Sequence, residues 1–273
     1  MARITLRGTN INYEKRGKGP ALILLHGWNS SREQWSLNLR RLAKGFRVIV
    51  PDLPGHGDSA LPPGFDYSLE AHVAWLDDFR KAMRLKDFGL VGHSLGGTIA
   101  AAYAASHPER VRSLVLCSTP ASGRGLTLRN RMPGAEVLIS LAYGLRGPWS
   151  LGFTMLRGVY KSEHLDKDFV QANVLEMRKI SRRTLARTAR LARTADLQPL
   201  LAAITAPTLV VVGNKDHTVR EKEACIFTQR IEGARLLTVN GVAHYPQYER
   251  PDVFDTAVAD FVRLAYEAPP AGP

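Results

Sequence analysis

The sequence predicts an α/β fold: a mostly parallel central sheet of about eight strands, flanked by helices, with an inserted helical lid. Three observations carry that expectation. Apolar residues recur in continuous runs rather than in alternation, which suits strands covered on both faces. Segments with helical apolar spacing separate those runs, and strand–helix alternation implies right-handed crossovers between parallel strands. Finally, Val91-Gly92-His93-Ser94-Leu95-Gly96-Gly97 sets a serine among glycines where an apolar run meets a helix-forming one. That is the pattern of a sharp strand-to-helix turn.

Taken in order, residues 4–6 and 11–13 flank Gly8-Thr9-Asn10 and read as a hairpin. Apolar runs follow at 21–25, 46–50, 88–91, 111–117 and 208–212, with 236–239 a weaker case. Helical patterns occupy 32–44, 68–85, 95–106, 220–231 and 252–266. In the second, Leu69, Val73, Leu76, Phe79 and Met83 share one face. The alternation stops after Cys117 and resumes at Thr208. The interval is helical and apolar, broken by Gly134, Gly144, Gly147-Pro148, Gly152 and Gly158, and too long for a loop. The expected organisation is a core domain of residues 1–118 and 207–267, a helical cap over 119–206 at the sheet's carboxyl edge, and a tail over 268–273.

The 273 residues, 45% of them hydrophobic, suffice for one large domain with a lid. The first twenty residues lack the apolar core of a secretory signal, and no stretch reaches bilayer-crossing length. Cys117 and Cys225 fall in a predicted strand and a predicted helix, apolar settings for buried free thiols, which points to a cytoplasmic protein; a single disulfide is the alternative. There is no H-E-x-x-H and no G-x-G-x-x-G after the first strand, so neither a metal nor a cofactor is expected.

The formal charge of +12 is uneven: residues 119–206 hold 14 Lys/Arg against 6 Asp/Glu, a surplus of 8. Within 177–197, Met177, Ile180, Thr184, Leu185, Ala189, Leu191 and Ala192 mark one helical face, and Arg178, Lys179, Arg182, Arg183, Arg187, Arg190 and Arg193 crowd the rest. Such a helix suits weak peripheral docking on an anionic membrane or another acidic surface, although a plain solubilising face has the same composition. No aromatic interleaving accompanies the arginines, so no nucleic-acid partner is expected.

A hydroxyl becomes a useful nucleophile only when exposed beside a base. Around that serine, four motifs resemble the α/β-hydrolase family and follow its order: His26-Gly27-Trp28, Asp52-Leu53-Pro54-Gly55-His56-Gly57-Asp58-Ser59, the serine turn, and Asp216 then His244. The resemblance spans nearly the whole chain except the lid. It implies Ser94 as nucleophile, Asp216 as acid and His244 as base, with the backbone N–H groups of Leu95 and Trp28 as oxyanion donors. Substrate contacts are expected from Trp28, His93, Leu138 and Trp149. His26 and His56 belong to motifs whose imidazoles are structural in the family, and His217, beside the acid, is the competing base. His72, His107 and His164 read as surface or packing residues.

Relatives that open epoxides or displace halides carry an aspartate where Ser94 stands, so the resemblance implies acyl chemistry. The leading expectation is cofactor-independent hydrolysis of a carboxylic ester with a moderately apolar acyl part, or of a thioester or lactone, through an acyl-enzyme. The same triad also serves C–C bond hydrolysis, lyase and acyl-transfer reactions, and a non-catalytic ligand receptor would keep the pocket.

Overall fold

The computed structural model describes residues 1–126, 175–219 and 221–267. Eight strands form one sheet: β1 (Ala2–Leu6), β2 (Thr9–Arg16), β3 (Ala21–Leu25), β4 (Arg47–Pro51), β5 (Phe88–His93), β6 (Val111–Cys117), β7 (Thr208–Gly213) and β8 (Arg235–Val239). Their order is β1-β2-β4-β3-β5-β6-β7-β8. The β1–β2 hairpin and the β2–β4 pair are antiparallel, and every other pairing is parallel.

The unalternating strands are explained by cover on both faces. On one face Ile23, Leu25, Leu90, Leu114, Leu116 and Val210 pack under α2 (Leu69–Ala82), α3 (Leu95–Ser106) and α5 (Lys222–Arg230). On the other, Leu22, Leu24, Val91, Val115 and Val211 meet α1 (Ser36–Leu42) and α7 (Pro251–Glu267) through Trp35, Leu39, Phe254 and Val258. β8 was the weak case because it closes the sheet's edge, with Arg235 and Leu236 exposed.

The chain leaves β3 toward β4 on one side and returns to β5 on the other. The carboxyl ends of β3 and β5 therefore face a topological switch point, where open α/β sheets bind ligands. Over this edge lies α4 (Arg182–Thr194), capped by the Ser181 hydroxyl, which accepts from Thr184 N–H at 3.1 Å. α4 docks through Thr184, whose Oγ1 lies 3.0 Å from the Tyr67 hydroxyl, and through Leu185, Thr188, Ala189 and Leu191, all buried. Thr188 joins the buried face although its polarity hides it from an apolar count; its hydroxyl donates back to the Thr184 carbonyl at 2.7 Å. Residues 127–174, the greater part of the expected cap, and the tail 268–273 lie outside the described residues. Among the described residues no helix is long and apolar enough to cross a membrane.

Both cysteines are free; Cys117 is buried as expected, whereas α5 turns Cys225 outward to solvent. A short helix, α6 (Pro246–Glu249), ties the carboxyl edge to α1 and α7 by a buried polar cluster. Asn38 Nδ2 donates to the Gln247 carbonyl at 2.8 Å and to Asp255 Oδ1 at 2.7 Å, and Cys117 Sγ donates to Gln247 Oε1 at 3.3 Å. Burial pushes the Asp255 carboxyl up to about 6. The folded protein thus holds the protonated form more tightly than the unfolded chain does, and stability is lost as pH rises from about 4 through that value. Urea unfolding should find Asp255→Asn more stable than wild type by about 1–2 kcal/mol at about pH 8, with the advantage gone at about pH 4.

Candidate active site

Ser94 follows β5 and precedes the first residue of α3, with φ +52° and ψ −115°. This is a sparsely populated conformation for a residue with a Cβ, and it persists because its surroundings over-determine it. Ser94 N–H donates to the Cys117 carbonyl at 2.9 Å, fixing the turn to β6. The helix then passes so close to the sheet that a Cβ on Gly96 would strike the carbonyls of Leu25 and His26, and one on Gly92 would strike the backbone of Gly96 and Gly97. The glycines permit contact; the contact sets the amino end of α3 at the switch point.

Beside it runs the loop after β3. Gly27 N–H donates to Gln34 Oε1 at 3.0 Å, and the Trp28 indole Nε1–H donates to the Leu185 carbonyl of α4 at 3.1 Å. Trp28 is thus half-buried between the sheet edge and α4, a link that the sequence motif alone does not contain.

Asp216 lies in the loop after β7, a strand's carboxyl end, as its motif suggests. Its Oδ1 accepts from Thr218 N–H at 2.7 Å and Val219 N–H at 3.1 Å, which leaves Oδ2 to meet His244 Nδ1 at 2.8 Å. Both side chains are almost wholly buried, at 4% and 5% exposure, so this charge-assisted bond works away from bulk water. The competing histidine, His217, is exposed in the same loop.

His93, expected to touch substrate, is buried instead. Its Nε2 lies 2.9 Å from the His244 carbonyl, and its ring packs 4.8 Å from that of His244 and 4.7 Å from that of Tyr245. Burial holds its imidazole well below the usual range, so it is neutral and donates from Nε2. A residue so enclosed shapes the His244 loop and offers no free face to a substrate. Leu138 and Trp149, the other expected contacts, lie outside the described residues.

The remaining motif histidines are scaffolding. His26 Nε2 accepts from Leu53 N–H at 3.0 Å, and burial holds His26 well below the usual range. Burial likewise pushes His56 and His72 down to about 4. The Asp52-to-Ser59 motif also supplies structure. Asp52, fully buried, accepts from Arg32 N–H at 2.7 Å, from the Arg32 guanidinium and from Asp58 N–H at 3.0 Å; a Cβ on Gly57 would lie 2.5 Å from its carboxyl.

Sequence reasoning missed Arg32 and two other buried braces. Glu249 accepts from the N–H groups of Ala243 and Tyr245, and Glu223 Oε2 accepts from Ala121 N–H at 2.9 Å and Ser122 N–H at 3.3 Å. Nothing local marks these residues as buried, although the Pro246-Gln247-Tyr248-Glu249 turn just after His244 was a signal worth weighing. The steric reading of the turn is testable: Gly96→Ala should lower stability by about 2 kcal/mol or more in urea unfolding. Gly45→Ala, whose Cβ would meet nothing within 4 Å, is the control and should change it by less than about 0.5 kcal/mol.

Comparison with known proteins agrees with this fold. A sequence profile of the alpha/beta hydrolase fold matches residues 20–139. A pimeloyl-(acyl-carrier protein) methyl ester esterase of Aeromonas hydrophila subsp. hydrophila is 30% identical over 259 residues, covering 93% of this chain and 99% of the relative. Lipase 1 of Psychrobacter immobilis is 27% identical over 90% of this chain and 78% of its own. Among solved structures, the enol-lactonase from Burkholderia xenovorans LB400 superposes with a TM-score of 0.83 at 23% identity, over 96% of this chain and 100% of that one, and at that identity shows the fold alone. With its eight-stranded sheet, its strained serine turn and a relative of this extent, the chain belongs to the α/β-hydrolase family.

Proposed function

We propose that this protein is a serine esterase. Ser94 attacks the ester carbonyl while His244 takes its proton, and Asp216 holds the imidazole through Nδ1 and stabilises the imidazolium. The backbone N–H groups of Leu95 and Trp28 receive the tetrahedral oxyanion. His244 then returns the proton to the leaving alcohol, and water releases the acyl group by the same steps in reverse roles. The observation that carries this reading is the buried 2.8 Å bond from His244 Nδ1 to Asp216 Oδ2, on a scaffold whose strained Ser94 directly follows His93, the residue whose ring packs against His244. The esterase and lipase relatives support an ester as the bond broken. Residues 119–206 would form the cap that encloses the acyl part.

p-Nitrophenyl esters of short acids should give a burst of p-nitrophenol followed by steady turnover. Ser94→Ala and His244→Ala should each lower kcat by about a thousandfold or more with the fold intact. Wild-type rates in both variants would remove the assignment.

A second feature bears on the substrate. Arg182, Arg183, Arg187 and Arg190 are exposed on α4, and none has a carboxylate partner among the described residues. Arg183, Arg187 and Arg190 form one stripe, where like charges three and four residues apart repel. Two of the four occupy the first turn, where the helix dipole disfavours cations, and that turn holds no acidic residue. Helix stability does not explain this charge, so the face suits an acidic partner. We assign it to a substrate carried on a protein whose contacting face is acidic; the Aeromonas relative's name describes an ester borne on a carrier protein. Arg187→Glu with Arg190→Glu should raise KM for a carrier-borne methyl ester by about tenfold, and leave a free methyl ester unchanged. Unchanged KM together with salt-sensitive retention on anionic vesicles would assign the face to membrane instead.

A further inference from the structure

The loop bearing His244 is gripped from both sides by a second carboxylate. Glu249, on α6, is 3% exposed. Its Oε2 accepts from Ala243 N–H at 3.0 Å and its Oε1 from Tyr245 N–H at 3.1 Å, the two amides that flank His244. His93 Nε2–H donates to the His244 carbonyl at 2.9 Å, so the main chain around His244 is fixed on three sides.

Two amide hydrogens need only an acceptor, which a neutral glutamine supplies. A buried carboxylate without a cation is costly, and among the described residues no ion pair to Glu249 is formed. Glu223 holds two amides in the same way, but the amides that Glu249 holds flank His244, which places its charge beside the ring that would become an imidazolium. We infer that Glu249 is a positioning residue whose negative charge also stabilises the His244 imidazolium formed as Ser94 is deprotonated. This rests on His244 being the general base.

The surroundings favour it. Asp216 reaches His244 from the loop after β7, neutral His93 from β5, and Tyr245 from the same loop. Cys117 on β6 feels both the Asp216 and the Glu249 carboxylates, which add to the burial that pushes its thiol up, so the two charges converge on one region. Farther out, Asp255 of α7 pairs with Arg41 of α1 at 3.9 Å, and Arg250 pairs with Asp252 at the surface. Lys215 and His217 of the Asp216 loop are exposed to solvent, while Asp216, His93 and Tyr245, in contact with His244, are anionic or neutral. In a water-poor site their field acts on the imidazolium and leaves neutral His244 untouched.

Glu249→Gln keeps the shape and an acceptor while removing the charge. The expected result on a p-nitrophenyl ester is a plateau kcat lower by about three- to tenfold, an unchanged KM, and an acid limb of the pH–rate profile moved down by about half a pH unit. The direction follows from the sign: without the anion, His244 takes a proton less readily, so it stays a competent base at lower pH. Glu249→Asp keeps the charge but cannot reach both amides; its plateau should fall while its acid limb stays with the wild type. An acid limb that stays put in Glu249→Gln, or moves equally in Glu249→Asp, overturns the inference and leaves a purely mechanical brace. If wild-type turnover does not depend on Ser94 and His244, the base assignment itself has failed, and that outcome is read before either Glu249 variant is measured.

Discussion

A close approach of helix to sheet sets the rest of the site. The first turn of α3 lies against the end of β3 with no room for a side chain at Gly96, and Gly92 makes the same concession from β5. That contact forces Ser94 into its left-handed conformation and turns the amino end of α3 toward the crevice. It also sets the Trp28 loop beside the helix terminus. Because His93 directly precedes the strained residue, the same turn carries its ring against His244. A single steric constraint thus aligns three loops that are distant in the chain.

Buried imidazoles and buried carboxylates do different work here. His26, His56, His72 and His93 are all desolvated and neutral; His26 and His93 tie separate loops together, while His56 and His72 bond carbonyls of their own loop and helix cap. The buried carboxylates serve different partners. Asp52 is neutralised by Arg32 and locks the loop after β4, where Asp58 also reaches Lys179 at 3.0 Å. Asp216 and Glu249 instead converge on the His244 loop, one on the ring and the other on the main chain. Glu223, which also forms no ion pair among the described residues, braces Ala121 and Ser122, so it is the position beside His244 that gives the Glu249 charge its proposed role.

The sheet was legible because burial on both faces writes itself into consecutive residues, as in Val111–Cys117 and Ala21–Leu25. Helix α3 was legible from its start at the glycine turn to its end at Ser106. Partners chosen across sequence were not. Arg32 reads as an exposed helix residue until Asp52, twenty positions on, is brought beneath it, and Glu249 reads as solvent-facing until α6 folds back on Ala243. His93 was misjudged for a related reason. Adjacency to the serine suggests a pocket, but alternation along β5 sends its side chain away from Ser94 and under the histidine loop. Thr188 shows the same blindness on a helix, where a hydroxyl that bonds its own backbone packs as if apolar.

α4 joins these elements to the substrate side. Its inner face is held by Trp28, Tyr67 and the buried threonines, while its outer face carries the arginines. The central claim is that the hydroxyl held in that strained turn is the atom that becomes acylated. The most direct test is to treat the protein with a fluorophosphonate and locate the adduct by peptide mass spectrometry. The account predicts one phosphonylated residue, Ser94, with labelling abolished in His244→Ala; a label on another residue while Ser94 remains unmodified would contradict it.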